Sequence, residues 1–552
     1  MDRSPIDEAD LCIIGTGPAG AFVGARIAEH GHQVVFLEAG PRFDLEDPNR
    51  AAEQLERAVR PTYGPGAVWD TGGDRDAYET DVPVGVEFQL NDLRIKGVGG
   101  TSLAWHGTVM RLHERDFRVQ TETGLGVDWP LTYDDLRPYY ARAERELGVA
   151  GAPGPRSPPR EQEFPMPPFP ISRTDQQYID ACNALDIDVQ SVPHARNSEP
   201  YAGRNQCEGY GTCVPYCPSG AKYVATNHID AAEDAGATVI DRAVVTALEH
   251  DADRVTGASY RTPDGARHTQ RARAFLLACG PIETPRLLLL STSSTYPDGL
   301  ANGSGTVGRF FQATPYISTT AIADEPVVPT QAGFDTSMSY EYYPPENPDF
   351  NAIWLTFRNE NPTSVVERAL QGGAPHLRDA LFPEINGHPW GDAMAERIEA
   401  ADLDQFANLR MSSYVEQLPQ KDNRVTLSAS VEDEFGNPAP KVSFAFSDRV
   451  EQTMEFALDI HRDIFTEMGV SITHEETPLQ RMGSDHAGTT RMGTDPERSV
   501  VDHRGLAHEL TNLWVAGPSV FPTSGAVQPV LTVVALALRT AEYLDEALLA
   551  ND

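Results

Sequence analysis

Lysine is nearly absent from this chain. Only four of its 44 basic residues are lysines (Lys96, Lys222, Lys421 and Lys441), and they face 81 acidic residues, which gives a formal net charge of −37. At about 1 M salt the Debye length is about 3 Å, so such a surface repels itself little, whereas in dilute buffer the same charge destabilises the compact state. The composition resembles that of halophile proteins. It also argues against nucleic acid as a partner, because nothing in the sequence resembles a basic patch.

Long apolar runs and a disulfide framework are missing as well. No stretch reaches the roughly 18 apolar residues that indicate a membrane-spanning helix. The opening MDRSPIDEAD has no basic region followed by an apolar run, so no signal peptide is predicted. We therefore expect a cytoplasmic protein that is exported or joins a membrane only through a partner subunit. Six cysteines are too few for a disulfide scaffold in 552 residues.

The amino-terminal segment has the pattern of a dinucleotide-binding unit. An apolar run ends in GTGPAG (Gly15 to Gly20), a helical stretch follows, and a second apolar run ends at Glu38. Gly15 permits the tight turn, Gly17 lets the backbone approach a pyrophosphate, and Gly20 lets the helix pack on the strand. The helix N-terminus offers free amide groups to the phosphates. Glu38 is placed to bind the adenosine ribose, but this motif alone does not distinguish FAD from NAD.

Further sequence blocks follow in order almost to the end of the chain. They are LEAG at 37–40, VGGTSLAWHG at 98–107, DWPLTYDDLRPYY at 128–140, CGPIETPRLLLLS at 279–291, LPQKDNRVTLS at 418–428, GTTRMGTDPERSVVD at 488–502 and NLWVAGPSVFPTSGAVQPVLTVVALALR at 512–539. With GTGPAG, these blocks resemble the glucose–methanol–choline (GMC) oxidoreductase family, which binds FAD.

The resemblance implies an α/β fold with two parts. A discontinuous Rossmann-like FAD-binding domain is expected from residues 1–115, 200–320 and 476–552. An α+β substrate-binding or cap domain with an antiparallel sheet is expected from 116–199 and 321–475. Helical segments are predicted within the second part at 390–410 and 450–468, but no motif there indicates which substrate is bound.

The same resemblance assigns further residues to FAD. Val245 is expected to meet adenine with its backbone, although it is also consistent with a plain edge-strand valine. Some relatives attach the flavin covalently through a histidine in the 98–107 loop; that position is Ala104 here and His106 comes two places later, so we expect non-covalent FAD. The other expected contacts are Gly99, Gly100 and Thr101 along the pyrophosphate and flavin, Gly517 and Ser519 near the flavin phosphates and ribityl chain, and Pro529 and Val530 at a helix N-terminus that faces the flavin.

Three cysteines fall within eleven residues, as Cys207-x5-Cys213-x3-Cys217, in a glycine-rich loop. Three thiolates of which the last is followed by proline suit an iron–sulfur cluster. The spacing is similar to that of GMC sugar dehydrogenases that hold a [3Fe-4S] cluster and pass electrons to a cytochrome, and a small helper subunit is a further expected partner. A loop with free thiols and a zinc site lacking its fourth ligand are the alternatives, since cluster-free relatives also carry a cysteine-rich loop here.

The expected catalytic pair departs from the family pattern at both positions. Alcohol oxidation needs a base that takes the hydroxyl proton as hydride leaves. The family's histidine position, three places before Gly488, is Asp485 here, and His486 follows it; the partner position is Gln528. We favour His486 as the base, because histidine titrates near neutrality unaided. In the alternative, Asp485 is the base with a pKa raised beside the flavin, and in a third neither residue is catalytic.

These observations favour an FAD-dependent dehydrogenase that oxidises a CH–OH group of a sugar or polyol to the carbonyl. The electrons are expected to pass to an external acceptor through the cysteine cluster. An oxidase that uses O2 without a cluster, and a catalytically degenerate FAD-binding subunit, are the rival interpretations.

Overall fold

The fold is built on two sheets that enclose one cavity. The computed structural model describes residues 3–7, 9–45, 47, 51, 76–83, 86, 90, 94–211, 213–214, 216–324, 327, 334–344, 347–359, 408–478, 483 and 485–550. Most of the helix predicted at 390–410 lies outside these ranges; its last positions, 408–410, begin a strand instead. The helix predicted at 450–468 is present as Asp448–Glu467.

The first sheet is parallel and largely buried. Its order is β17-β9-β1-β2-β5, with β1 and β2 side by side as the glycine motif requires. These strands read as nearly continuous apolar runs because helices cover both faces of a parallel sheet. Their bounds are Ala9–Ile14 (β1), Val34–Leu37 (β2), Thr238–Ile240 (β5), Ala272–Leu277 (β9) and Leu513–Val515 (β17).

Helices that begin at the carboxyl ends of these strands point their N-termini at the cavity. The helix α1 (Pro18–Glu29) follows β1 and packs against both α5 (Thr226–Asp234) and α8 (Val530–Leu549). The helix α6 (Gly280–Leu290) follows β9. The short helix α2 (Val119–Thr123) precedes α3 (Tyr133–Leu147), which packs against α8. The helix α4 (Arg173–Ala184) packs against α7 (Asp448–Glu467).

The second sheet is antiparallel, with the order β16-β10-β13-β12-β11-β4. One face packs its apolar side chains, such as Leu355 and Met411, against the helix α7 (Asp448–Glu467). Buried His461 of α7 joins that face through Thr319 Oγ1 at 2.8 Å and Ser413 Oγ at 2.9 Å. The bounds are Gln190–Ser191 (β4), Tyr316–Ile322 (β10), Ser337–Ser339 (β11), Ile353–Arg358 (β12), Asn408–Val415 (β13) and Ser471–Glu475 (β16).

Two three-stranded sheets complete the strands of the described chain. They are β14-β15-β3, with bounds Arg424–Glu432, Pro438–Ser443 and Glu79–Asp81, and β6-β7-β8, with bounds Val244–Asp251, Arg254–Arg261 and Arg267–Gln270. The α/β fold with an antiparallel sheet is thus confirmed. The predicted domain boundary at 320/321 falls inside β10, and the domain division stays a prediction. The described helices include none with the length and apolar character needed to cross a membrane.

Candidate active site

A cavity of about 580 Å³ lies between the carboxyl ends of the parallel sheet and the polar face of the antiparallel sheet. Ligands of open α/β sheets bind at this edge, because the loops that follow the strands meet there. The ends of β1, β2 and β9 contribute Gly15, Glu38 and Cys279 to the wall, and the antiparallel sheet contributes Trp354, Arg358 and Tyr414. Segments distant in sequence therefore form a single site.

The glycine turn has the geometry that its motif predicts. Gly15 has a φ of +101°, and a Cβ there would lie 2.6 Å from the carbonyl oxygen of Ala278. A Cβ on Gly20 would lie 2.2 Å from the carbonyl oxygen of Gly15, so the helix can approach the strand only without a side chain. A Cβ on Gly17 would meet nothing within 4 Å, yet Gly17 lines the cavity. No protein atom fills the space beside Gly17. This open space, the glycine cradle, has room for a ligand.

Glu38 closes the adenosine end of this cradle. It is 6 % exposed, and it accepts hydrogen bonds from the amide nitrogens of Thr16 at 3.1 Å and Gly40 at 3.0 Å. Burial raises the pKa of the Glu38 carboxyl, although these hydrogen bonds oppose the rise. The side chain is therefore held rigidly at the end of β2, where the dinucleotide fold places its ribose-binding carboxylate.

Most of the other residues expected to contact FAD also reach the cavity. Val245 lies in its wall at the start of β6, and Gly517 lies in the turn after β17 with a φ of +110°. Ser519 is fully buried, and its Oγ has no hydrogen-bond partner among the described residues. The Gly99 amide nitrogen lies 3.2 Å from Thr16 Oγ1, which ties the second loop to the first. The remaining expected contacts that line the cavity are Gly100, Thr101, Pro529 and Val530.

Ala104 and His106 both lie in the cavity wall, so the loop at 98–107 faces the bound group as expected. Desolvation by the surrounding wall, and then the charge of Arg358, lower the pKa of His106 to about 3. This histidine is consequently neutral at physiological pH.

Asp485 and Gln528 meet inside the cavity although they lie far apart in sequence. Both residues line the wall, and the Gln528 side chain favours the charged form of the Asp485 carboxyl. The second carboxylate oxygen of Asp485, Oδ2, is buried with no hydrogen-bond partner in the described part of the chain. Burial raises the pKa of Asp485 to about 7. A carboxylate with this pKa can accept a proton at neutral pH.

His486 lies beside Asp485 but in a different environment. Its ring packs 5.0 Å from the ring of Phe311, and it is 8 % exposed. Burial, and then the charge of Arg94, lower the pKa of His486 to about 4. Burial thus moves the two neighbouring pKa values in opposite directions, because it disfavours the charged form of each group.

A group of cavity residues on the antiparallel sheet was not identified by sequence reasoning. In β12 the alternate residues Ile353, Leu355 and Phe357 are buried against α7, so Trp354 and Arg358 face the cavity. This alternation can be seen in the sequence IWLTFR, but only if the segment is recognised as a strand with one buried face. Asp335 and Tyr414 complete the group.

Comparison with known proteins decides the family. The chain matches the amino-terminal part of the GMC oxidoreductase family over residues 93–315 and the carboxy-terminal part over residues 419–537. It is 32 % identical over 560 residues to the fructose dehydrogenase large subunit of Gluconobacter japonicus, with 97 % of each chain covered. The chain belongs to the GMC oxidoreductase family.

Other comparisons agree with this assignment. The GMC oxidoreductase is 27 % identical to 2-methyl-1,2-propanediol dehydrogenase of Mycolicibacterium austroafricanum, with 98 % of this chain and 95 % of that one covered. Its fold matches that of pyridoxine 4-oxidase from Mesorbium loti with a TM-score of 0.66 at 19 % identity, covering 97 % of this chain and 99 % of that one. The protein is therefore an FAD-dependent enzyme that oxidises CH–OH groups, and the glycine cradle, Glu38 and the cavity fit that cofactor.

The cysteine loop of this GMC oxidoreductase lies next to the loop at 98–107. The side chain of buried Lys222 donates hydrogen bonds to the carbonyl oxygens of Leu103 at 3.1 Å, Trp105 at 3.0 Å and Cys213 at 2.6 Å. One ammonium group therefore joins the two loops.

The three thiols are neighbours but do not form a metal site as they stand. Cys213 and Cys217 both affect the ionisation of Cys207, whose pKa is raised mainly by burial. Burial opposes ionisation of Cys217, but hydrogen bonds and the charges of Lys222 and Arg196 lower its pKa overall. Among the residues that the structure describes, no group of three or more His, Cys, Asp or Glu side chains is arranged to hold a metal ion.

The different surroundings of the glycines give a test of the cofactor site. Gly17 has a φ of −64°, which alanine also adopts. Gly17→Ala should leave the stability of the cofactor-free protein unchanged but weaken FAD binding by at least about tenfold, because the methyl group enters the cradle. Gly20→Ala is the matched contrast and should lower the free energy of unfolding by about 2 kcal/mol. Denaturant unfolding and FAD titration measure both; unchanged FAD affinity in Gly17→Ala would contradict the assignment.

Proposed function

We propose that this GMC oxidoreductase oxidises a CH–OH group of a sugar or polyol to the carbonyl and passes the electrons to an external acceptor other than O2. The observation that carries the proposal is the Asp485–Gln528 pair, which lies half-buried in the wall of the cavity that fits FAD. The names of two relatives, a fructose dehydrogenase large subunit and a propanediol dehydrogenase, support hydroxylated substrates and the dehydrogenase class.

Asp485 is the proposed base, ahead of His486. A general base works best when its pKa lies near the operating pH. The Asp485 carboxylate, with a pKa of about 7, holds a proton more strongly than the His486 imidazole, with a pKa of about 4. Asp485 Oδ2 is also left without a hydrogen-bond partner by the described residues, and so can accept the substrate hydroxyl.

In the proposed reaction the substrate hydroxyl donates a hydrogen bond to Asp485 and then transfers its proton there. When bound, FAD supplies the acceptor for the hydride that leaves the carbinol carbon. Gln528, which also lines the cavity, favours the charged form of the Asp485 carboxyl and so opposes part of the rise in its pKa. The N-terminus of α8 begins at Val530 in the cavity wall, where the positive end of its dipole stabilises negative charge.

We further propose that Cys207, Cys213 and Cys217 hold a [3Fe-4S] cluster, and that a helper subunit and a cytochrome-type protein are partners. Three thiols on one loop, with Lys222 and Arg196 nearby to favour thiolates, have the composition that such a cluster needs. Their sulfur atoms would have to be drawn together on assembly, since they are not arranged as a metal site in the structure. The term "large subunit" in the relative's name supports a partner subunit.

Replacement of Asp485 tests the proposed base. Asp485→Asn should slow anaerobic bleaching of the flavin by a sugar or polyol at least about 100-fold, because the proton acceptor is lost. His486→Asn is the matched control and should bleach within about threefold of the parent rate. In the parent, kcat/KM should rise with pH to a plateau above the Asp485 pKa of about 7. Full loss in His486→Asn with retention in Asp485→Asn would reverse the assignment.

The same variant has a readout that does not depend on turnover. The Asp485 pKa of about 7 in the folded protein lies above the value of about 3.9 in an unfolded chain, so stability falls as pH rises between these values. Asp485→Asn should therefore raise the Tm relative to the parent at pH 8 and change it little at pH 4.

Two further measurements distinguish the rival functions. Peroxide formation that matches substrate consumption in air would favour an oxidase, and a wide substrate screen without flavin bleaching would favour a catalytically degenerate subunit.

Iron analysis tests the cluster. Anaerobically purified protein should contain about three iron atoms and four acid-labile sulfides per chain if it holds a three-iron cluster. Cys213→Ser should lower both while FAD content stays unchanged, and Cys182→Ser, which alters a buried thiol outside the loop, is the control. Iron-free parent protein with full activity towards a dye acceptor would overturn this part of the proposal.

We also propose that the enzyme works at high salt. The Tm should rise with KCl and level off near 1 M, where the Debye length has fallen to about 3 Å and the net charge of −37 is screened. KCl is preferred to a sulfate salt because sulfate strengthens apolar burial in any protein. A Tm that is flat or falls over the same range would contradict the proposal.

A further inference from the structure

The charges that line the cavity are balanced in pairs. Four cationic side chains face it, and each has an acidic partner among the described residues. The pairs are Arg94 with Asp76 at 2.9 Å and Glu283 at 2.8 Å, Lys96 with Asp76 at 2.7 Å, Arg286 with Glu283 at 3.1 Å and Asp433 at 2.5 Å, and Arg358 with Asp335 at 3.1 Å.

Arg358 is the cation on the antiparallel sheet, on the same face as Trp354. Its Nη1 donates to Asp335 Oδ2 at 3.1 Å, and its Nη2 donates to the Tyr414 hydroxyl at 2.8 Å. The Arg358 side chain is 23 % exposed and the Asp335 side chain 7 %. The guanidinium is thus fixed in the wall with its charge already neutralised.

Asp335 is itself held in place by the neighbouring strand. Its Oδ2 accepts a second hydrogen bond from Thr356 Oγ1 at 2.7 Å, on the same face of β12 as Arg358. The ring of Trp354 stacks on that of Tyr414 with centroids 4.5 Å apart. The antiparallel sheet therefore presents an aromatic surface beside a neutral hydrogen-bonding network, which suits the C–H faces and hydroxyls of a neutral sugar or polyol.

The neighbouring part of the cavity adds an acidic group, Asp485, and no unpaired cation from the described wall residues. The charge of Asp485 reaches Tyr414, which places the Asp485–Gln528 pair next to the Arg358 network. His106, a further titratable group near Arg358, is neutral, and the buried cations Lys222 and Arg196 that also act on it do not line the cavity. A substrate carboxylate here would meet no cation in excess, and a buried charge without a partner is costly.

We infer that the substrate subsite formed by Asp335, Trp354, Arg358 and Tyr414 accepts neutral polyhydroxylated substrates and refuses sugar acids, because Asp335 neutralises the cation of that wall. The inference rests on the proposed function and names the substrate class of the same site. It makes Asp335 a specificity-determining residue.

Matched six-carbon probes test the inference. Anaerobic flavin bleaching would be followed at pH 7 with D-fructose and D-sorbitol as neutral probes and with D-gluconate and D-glucuronate as acids. The best neutral probe should exceed the best acid in kcat/KM by at least about 100-fold, the discrimination expected when a charged group is buried unpaired. Equal rates for acids and neutral probes would overturn the inference and leave the proposed function standing. Bleaching by none of these or of a wider set of alcohols would overturn the proposed function itself.

Asp335→Asn tests the cause of the selectivity. The substitution keeps the shape of the side chain but unbalances Arg358, so the ratio of neutral to acid kcat/KM should fall by at least about tenfold. Asp459→Asn is the control, because it removes one of the two acidic partners of Arg462, in an exposed Asp–Arg pair on α7 at 2.7 Å, and neither residue lines the cavity.

A second variant separates charge from damage to the site. Arg358→Gln removes the cation that Asp335 neutralises, so no excess positive charge is created. The ratio of neutral to acid kcat/KM should therefore stay high in this variant, whatever its absolute rate. FAD content and Tm are measured for each variant. An Asp335→Asn protein that is folded and flavinated but keeps the parent ratio would overturn the inference.

Discussion

Burial of charge at the edge of the parallel sheet is the constraint on which the site depends. Every cation that the described cavity wall contains has an acidic partner, whereas the pKa of Asp485 is raised by burial with only the Gln528 amide to oppose it. An uncompensated buried carboxylate destabilises a fold, and such costs are tolerated where function requires them. A raised pKa is also what makes a carboxylate an effective base at neutral pH. The same desolvation that costs stability at Asp485 therefore provides the proposed chemistry.

The strand–turn–helix unit was predictable because its signals are local. The turn needs glycine where a Cβ would strike backbone atoms, as at Gly15 and Gly20, and this requirement can be recognised in the sequence. The proposed catalytic pair was predictable only as positions, since the resemblance to the family pattern points to residues 485 and 528. The pKa values of Asp485 and His486 were harder to predict, because the preference for His486 assumed the pKa of an exposed histidine. Burial, which a sequence does not display, lowers that value and raises the value for Asp485.

The substrate side of the cavity was not predictable for a different reason. Trp354, Arg358 and Tyr414 come from two strands and meet through sheet register, in which Trp354 pairs with Tyr414. A one-residue slip of β12 would turn Trp354 and Arg358 to the other face, against α7, and away from Tyr414. Alternation within IWLTFR can indicate which side chains share a face, but not which neighbouring strand or which cavity they meet. The proposed substrate subsite therefore depends on long-range pairing, whereas the cofactor motif depends on local turns.

Two electrostatic effects would act against an acidic substrate, the net charge of the protein surface and the charge balance of the substrate subsite. Their dependence on salt concentration distinguishes them. The net charge of −37 repels anions over a distance set by the Debye length, so this contribution disappears at about 1 M salt. The Arg358–Asp335 pair is part of a cavity wall, and such partly buried pairs are screened far less. Selectivity that persists in concentrated KCl would therefore arise in the substrate subsite, and selectivity that vanishes would arise at the surface. In concentrated salt, any discrimination by charge between acidic and neutral substrates would therefore have to come from the charge balance inside the cavity.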